Sequence, residues 1–199
     1  MEMVHVHFGP ARECTVRIVG GKYAGRDLLS PADSRVRPTA ELVRAGIMEM
    51  LGKDLQDARV LDLFAGTGAL GLEAMSRGAK SADFLEFRPA SLHALKANIA
   101  TLRMLQRTRV FKRDAVPFAA ALTRDAYDVA FLDPPYGSKM LDLVLASWQA
   151  TGFARVLVIE HASTHAVPRG AQRREFNDTI VTIYRLAREV DVPDRGKEL

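Results

Sequence analysis

The sequence predicts an α/β fold: a doubly wound, mostly parallel sheet with a C-terminal antiparallel hairpin and a small N-terminal β-ribbon and helix extension. Three observations carry that expectation. From Arg59 onward short apolar runs alternate with stretches of helical periodicity, the pattern of a parallel sheet covered on both faces. A glycine-rich turn joins the first of those runs to the helix after it. The stretch from Arg173 to Ala187 holds two β-rich runs broken at Asn177-Asp178, a hairpin signal.

The elements follow in order. Residues 1–15 lack periodicity and are expected to form a flexible tail. Arg17 to Leu29 alternates around Gly20-Gly21 and Gly25, as a short ribbon does. Pro31 to Pro38 reads as a loop and Thr39 as a helix N-cap, with Glu41 in the first turn. Leu42, Val43, Ile47, Met50 and Leu51 recur at helical spacing. Val60 to Phe64 is a short apolar strand, and the helix through Glu73 and Ala74 stops at Gly78. Further strands are Ser81 to Glu86, Arg109 to Lys112, Tyr127 to Leu132 and Val156 to Ile159. Helices carrying Leu92, Leu95, Ile99 and Leu102, then Val116 to Leu122, then Met140 to Ala150, fall between them. The expected organisation is a tail over 1–15, an extension over 16–55, the main domain over 56–190 and a second tail over 191–199.

Composition removes several classes. The chain has 199 residues, 48% hydrophobic and 26% charged, enough for one well-buried domain. Its single cysteine, Cys14, cannot form an internal disulfide, so a reducing, cytoplasmic setting is expected. No apolar run reaches the roughly 18 residues of a membrane span. Met1 to Gly9 has no secretory core. None of His5, His7, His93, His161 and His165 has a partner at zinc spacing, so no metal is assigned. Net charge is +4, which by itself says only that the chain resists aggregation. Its distribution says more. Arg103, Arg107, Arg109, Lys112 and Arg113 run without an acid between them, and Arg17, Lys22, Arg26, Arg35, Arg37 and Arg44 sit near the N-terminus, diluted by Asp27, Asp33 and Glu41. A polyanionic partner fits such groups.

Ligands of open α/β sheets bind beyond the carboxyl ends of the strands. There the chain places Asp62, Phe64, Ala65, Gly66, Thr67 and Gly68 in a turn that opens a helix. Glu86 ends the second strand of the main domain, where a carboxylate can accept from both hydroxyls of a ribose. Asp114, just past the third, is placed to meet a base edge. Gly66-x-Gly68-x-x-Gly71 also matches a dinucleotide fingerprint, so a nucleotide-dependent oxidoreductase has to be weighed. Against it, Asp62 suits a cationic amino group and repels a pyrophosphate. S-adenosylmethionine offers a ribose, an adenine, a sulfonium and an α-amino group, with no phosphate.

Asp133-Pro134-Pro135-Tyr136 follows the fourth strand, beside the first strand's turn. Two prolines stiffen the backbone and remove two amide donors, leaving a loop rich in acceptors. Such acceptors hold the N–H groups of an exocyclic amine and leave its lone pair aimed at an electrophile. Tyr136 supplies a flat face for an extruded base. The gain is positioning for in-line attack on a methyl carbon.

Asp62-x-Phe64-x-Gly66-x-Gly68 with Asp133-Pro134-Pro135-Tyr136 resembles the class I S-adenosylmethionine methyltransferases of exocyclic amines. Three segments narrow the likeness: Arg17-Ile18-Val19-Gly20-Gly21 with Gly25-Arg26, Arg37-Pro38-Thr39 followed by Arg44, and Leu61 through Ala74. Together they resemble the bacterial RsmD-type 16S ribosomal RNA guanine-N(2) methyltransferases, over about Arg17 to Leu186. The resemblance implies a Rossmann-like methyltransferase that uses S-adenosylmethionine on one guanine of small-subunit RNA, with an assembled or assembling ribosomal particle as substrate. It implies catalysis by Asp133 to Tyr136 and RNA contact by the N-terminal segment. Arg17, Lys22, Arg26, Arg37, Thr39 and Arg44 are the residues expected to make that contact. A DNA adenine methyltransferase shares the loop but usually adds a target-reading domain, for which this length leaves no room. A non-catalytic RNA-binding module would not need the intact loop.

Overall fold

The computed structural model describes residues 16–31, 41–170 and 172–187. Both tails, the Thr39 cap, Arg35, Arg37 and most of the loop between the ribbon and the first helix lie outside the described residues.

The ribbon is β1 (Val16–Arg17) paired antiparallel with β2 (Asp27–Leu28). After it comes α1 (Glu41–Leu51), and then strand and helix alternate: β3 (Arg59–Asp62), α2 (Ala69–Ser76), β4 (Ser81–Leu85), α3 (Pro89–Thr101), β5 (Thr108–Phe111), α4 (Ala115–Ala120), β6 (Tyr127–Leu132), α5 (Met140–Thr151) and β7 (Ala154–Ala162). The hairpin β8 (Gln172–Phe176) and β9 (Thr179–Arg185) closes the order. Seven strands form one sheet in the order β5-β4-β3-β6-β7-β9-β8, parallel up to β7 and antiparallel from there. The fold is thus the Rossmann-like one expected. The last parallel strand is longer than Val156 to Ile159, because it is paired along its length by β6 on one side and β9 on the other.

Alternation along the strands builds two cores. Val129 and Phe131 of β6 join Phe84, Val158, Leu72, Leu95 and Ile47 on one face. Ala130 and Leu132 join Leu157, Ile159, Val144 and Trp148 on the other. Val16, Ile18 and Leu28 of the ribbon sit in the first of these cores, so the extension and the sheet share apolar burial.

Polar ties complete the docking of the ribbon. Glu73 of α2 is fully buried, and its carboxylate accepts the amides of Val19 (2.7 Å) and Gly20 (2.8 Å) and the Arg77 Nε–H (2.8 Å). Buried acceptors matched by charged and backbone donors are strong interactions, and each orphaned donor would cost about 1–3 kcal/mol. Asn98 of α3 accepts the Leu29 amide (2.7 Å) and donates to the carbonyls of Leu29 (3.0 Å) and Thr67 (2.9 Å). Across the sheet, Asp83 accepts the Tyr127 hydroxyl at 2.7 Å and a two-pronged Arg109 pair. Arg109, one member of the basic run, is therefore held by β4.

Candidate active site

The chain reverses direction across the sheet at β3: β4 and β5 lie on one side, β6 on the other. That switch point is where α/β sheets open a crevice. Here the crevice is a cavity of about 460 Å³ at the carboxyl ends of the strands. It is large enough for a ligand of nucleoside size.

Asp62, Phe64, Ala65, Gly66, Thr67, Glu86, Asp114 and Asp133 to Tyr136 all line this cavity. Gly68 does not line it; it sits at φ +84° as the residue before α2, the left-handed conformation that lets the turn enter the helix. Gly71 is needed for close approach: a Cβ there would stand 2.3 Å from the Phe84 ring and 3.3 Å from the Asp62 carboxylate. The third glycine of the dinucleotide-like pattern thus serves helix packing.

Asp62 is buried, and its Oδ2 accepts the Gly71 amide at 3.1 Å. Burial pushes its pKa up to about 7, the Gly71 and Phe64 amides oppose that, and the nearby Asp133 and Glu86 carboxylates add to it. The cavity therefore concentrates negative charge that a cationic ligand would relieve. Glu86 accepts the Gly66 amide at 3.0 Å and the Phe87 and Arg88 amides at 2.8 Å each. Arg88 also pairs with it at 3.3 Å. These bonds hold the carboxylate at the cavity wall, and a ribose would have to share its oxygens with Arg88. Asp114 is exposed and caps α4 by accepting the Val116 amide at 2.9 Å.

On the far side of the cavity, Tyr136 is 44% exposed and its hydroxyl lies 2.6 Å from that of Thr179 and 3.4 Å from Glu160 Oε1. An exposed ring fixed at its hydroxyl end offers its face to a planar ligand.

The N-terminal basic residues are dispersed. Arg17 pairs with Asp27 at 3.6 Å, Lys22 stands over the Tyr23 ring, and Arg26 is exposed. None of the three lines the cavity. Tyr23 is anchored on Ser76 at the last turn of α2, roughly 10 Å along that helix from Ala69 at the cavity. Arg37 and Thr39 lie outside the described residues. Arg44 corrects the expectation of RNA contact: it is fully buried on the inward face of α1, donating to the Arg17 carbonyl at 2.5 Å. Glu73, Glu41 and Glu160 surround it with negative charge. A guanidinium enclosed in this way cannot reach a phosphate.

Several lining residues carry no ligand-site role in the sequence reading: Leu42, Phe87, Arg88, Arg113, Glu160 and the Asn177-Asp178 turn. Glu160 carried the signal that marked the other acids, a carboxylate just past a strand's apolar run. The turn carried none, because antiparallel pairing with β7 alone brings it to the cavity.

Comparison with known proteins adds a lineage. Residues 16–185 match the profile of a family described as conserved hypothetical protein 95. YlbH of Bacillus subtilis (strain 168), described as a candidate rRNA methyltransferase, is 36% identical over 132 residues, covering 65% of this chain and 72% of that one. Ribosomal RNA small subunit methyltransferase D of Escherichia coli (strain K12) is 39% identical over 127 residues, 64% of this chain and 63% of the relative, so just under two thirds of its length is spanned. Among solved structures, yhhF from Escherichia coli, described as a candidate methyltransferase, superposes with a TM-score of 0.75 at 29% identity, over 86% of this chain and 97% of that one.

Proposed function

This chain belongs to the conserved hypothetical protein 95 family, the RsmD-type methyltransferases, and we propose that it methylates the exocyclic amine of a guanine in small-subunit ribosomal RNA. The methyl donor is S-adenosylmethionine and the substrate is an assembled or assembling small-subunit particle. The observation that carries the reading is the meeting of Asp62, Glu86 and Asp133 in one cavity across the switch point.

The residues present fit that donor. Asp62 and its neighbouring acids suit a ligand that carries positive charge and no phosphate. Glu86, Phe87 and Asp114 line the cavity; Glu86 would suit the two ribose hydroxyls, Phe87 would give an apolar cover for the adenine, and Asp114 would offer an acceptor to a base edge. When bound, the donor supplies an electrophilic methyl carbon on a sulfonium.

The chain's own contribution is positioning. Asp133 accepts an N–H of the target amine, so the nitrogen's lone pair is directed into the cavity. Tyr136 stacks on the guanine, which is swung out of its own stack. No strong base is required beforehand, because nitrogen becomes acidic once it carries the methyl group and a positive charge. Its proton then leaves to the Asp133 carboxylate or to water. Arg17, Lys22 and Arg26 contact RNA phosphates outside the cavity.

Transfer of labelled methyl groups to small-subunit particles from cells lacking the modification tests this. N(2)-methylguanosine in the digested RNA is the expected product. Label on adenine, or none at all, sinks the reading.

A further inference from the structure

Glu160 is another acid at the carboxyl end of the sheet, and the roles proposed above leave it without a task. The register of β6 and β7 pairs Leu132 with Ile159. Glu160 is the next residue of β7 and Asp133 the first residue past β6, so the two stand at the same end of neighbouring strands, which run roughly 5 Å apart. Glu160 continues the alternation of Val158 and so belongs to the face that carries Asp62, and Asp133 lines the same cavity as both. Glu160 is 8% exposed and lines the same cavity, with Oε1 3.4 Å from the Tyr136 hydroxyl. It therefore stands at the edge of the ring on which a target base would rest. Arg44, buried on α1, is among the charges that face it.

The chemistry of the bases gives that position a meaning. Guanine, adenine and cytosine all carry an exocyclic amine. In guanine the ring nitrogen N1, next to the amine, bears a hydrogen. In adenine and cytosine the ring nitrogen in the corresponding place bears a lone pair. An ionised carboxylate only accepts hydrogen bonds. Beside an amine held by Asp133, a carboxylate would pair with guanine and meet a lone pair on the other two. A site built around one hydrogen-bond pattern rejects a base that mismatches it far more strongly than an apolar site can.

Resting on the methylation reading above, we propose that Glu160 selects guanine, accepting its N1–H beside the amine that Asp133 holds and turning adenine and cytosine away. Asp133 then serves the reacting nitrogen, while Glu160 reads its neighbour.

Saturation-transfer NMR on the full chain, saturated with S-adenosylhomocysteine to keep nucleosides out of the cofactor half, tests this with guanosine and 2-aminoadenosine. The second probe keeps the 2-amine but presents N1 without its hydrogen. Guanosine should bind roughly ten- to hundredfold more tightly. Glu160→Gln should bring the two within about threefold, since a carboxamide can donate or accept. Glu160→Asp, which keeps the charge, should retain a preference for guanosine. Calorimetric binding of S-adenosylhomocysteine should be unchanged in both variants, and the wild-type comparison decides even where a variant fails to fold. Equal binding of the two nucleosides by the wild type, or an undiminished preference in Glu160→Gln, overturns the proposal. A wild-type enzyme that methylates guanine in RNA yet binds both nucleosides equally removes the Glu160 role alone. One that methylates no RNA removes the reading beneath it.

Discussion

The Tyr136 hydroxyl lies 2.6 Å from the Thr179 hydroxyl, which ties the loop after β6 to the first residue of β9. The Tyr136 ring is thus held in place by a strand far along the chain. Thr179→Val and Tyr136→Phe each break this tie and leave the ring, so both should lower turnover a little and by similar amounts. Tyr136→Ala should lose roughly 1–3 kcal/mol more, the worth of stacking on a base. Steady-state kinetics on small-subunit particles reads the series. A Tyr136→Phe enzyme as inactive as Tyr136→Ala would make the hydroxyl the working group.

Asp133→Ala should abolish methyl transfer and leave cofactor affinity nearly intact. The expected split follows from its place on the loop after β6, across the cavity from Glu86 and Phe87. Calorimetry and a single-turnover assay on one protein preparation check both halves. Full-rate transfer would move the catalytic centre elsewhere.

Glu86→Ala should weaken S-adenosylmethionine binding by about 1.5–3 kcal/mol for each charge-assisted hydrogen bond lost. Arg88→Ala should act in the opposite direction. Its guanidinium pairs with the carboxylate that a ribose would use, so its removal frees that acceptor. Weaker binding by Arg88→Ala would show that the arginine helps to hold the donor.

The pKa of Asp62, about 7, sets a pH dependence. Donor affinity should rise as pH climbs through 7, because the ionised carboxylate attracts the cationic ligand. The ligand-free protein should behave in the opposite way. A carboxyl whose folded pKa lies above its unfolded value of 3.8 contributes stability at low pH that is lost as pH rises through 7. Asp62→Asn should therefore raise the melting temperature of the ligand-free protein at pH 8, on the order of 2–4 °C for each kcal/mol regained. It should also weaken donor binding. No gain in melting temperature would mean that Asp62 is stabilised as the anion.

Neutralising Arg17, Lys22 and Arg26 together should flatten the salt dependence of RNA binding, because fewer counterions are released. Donor affinity should not change. Arg44→Met should act through stability, since it leaves the surrounding carboxylates without their buried counter-charge, at a loss of order 3 kcal/mol. Denaturant unfolding and filter binding at several salt concentrations separate the two. An Arg44→Met protein with normal stability and a flattened salt slope would restore that residue to the RNA-contacting set.

The order of strands and helices was legible in the sequence because local physics writes it there. Apolar runs of four to six residues, glycine turns and an Asn-Asp break are readable one segment at a time. The acids Asp62, Glu86 and Asp133 were legible as cavity residues for the same reason: each stands at or just past the end of an apolar strand, and parallel strands bring such ends to one edge of the sheet. Tertiary structure decided what depends on partners distant in the chain. Arg44 reads like any other arginine until the ribbon's carbonyl and the acids of α2 and β7 close around it. Glu73 reads as an ordinary helix residue until the amides of Val19 and Gly20, more than fifty positions earlier, arrive to be accepted. Asn177 and Asp178 announce a turn, yet only the antiparallel pairing of β9 with β7 carries that turn to the rim of the cavity. A side chain's local pattern determines its element and its face. Whether a charge is buried, and what it answers, is decided by elements that its own neighbours in sequence do not describe.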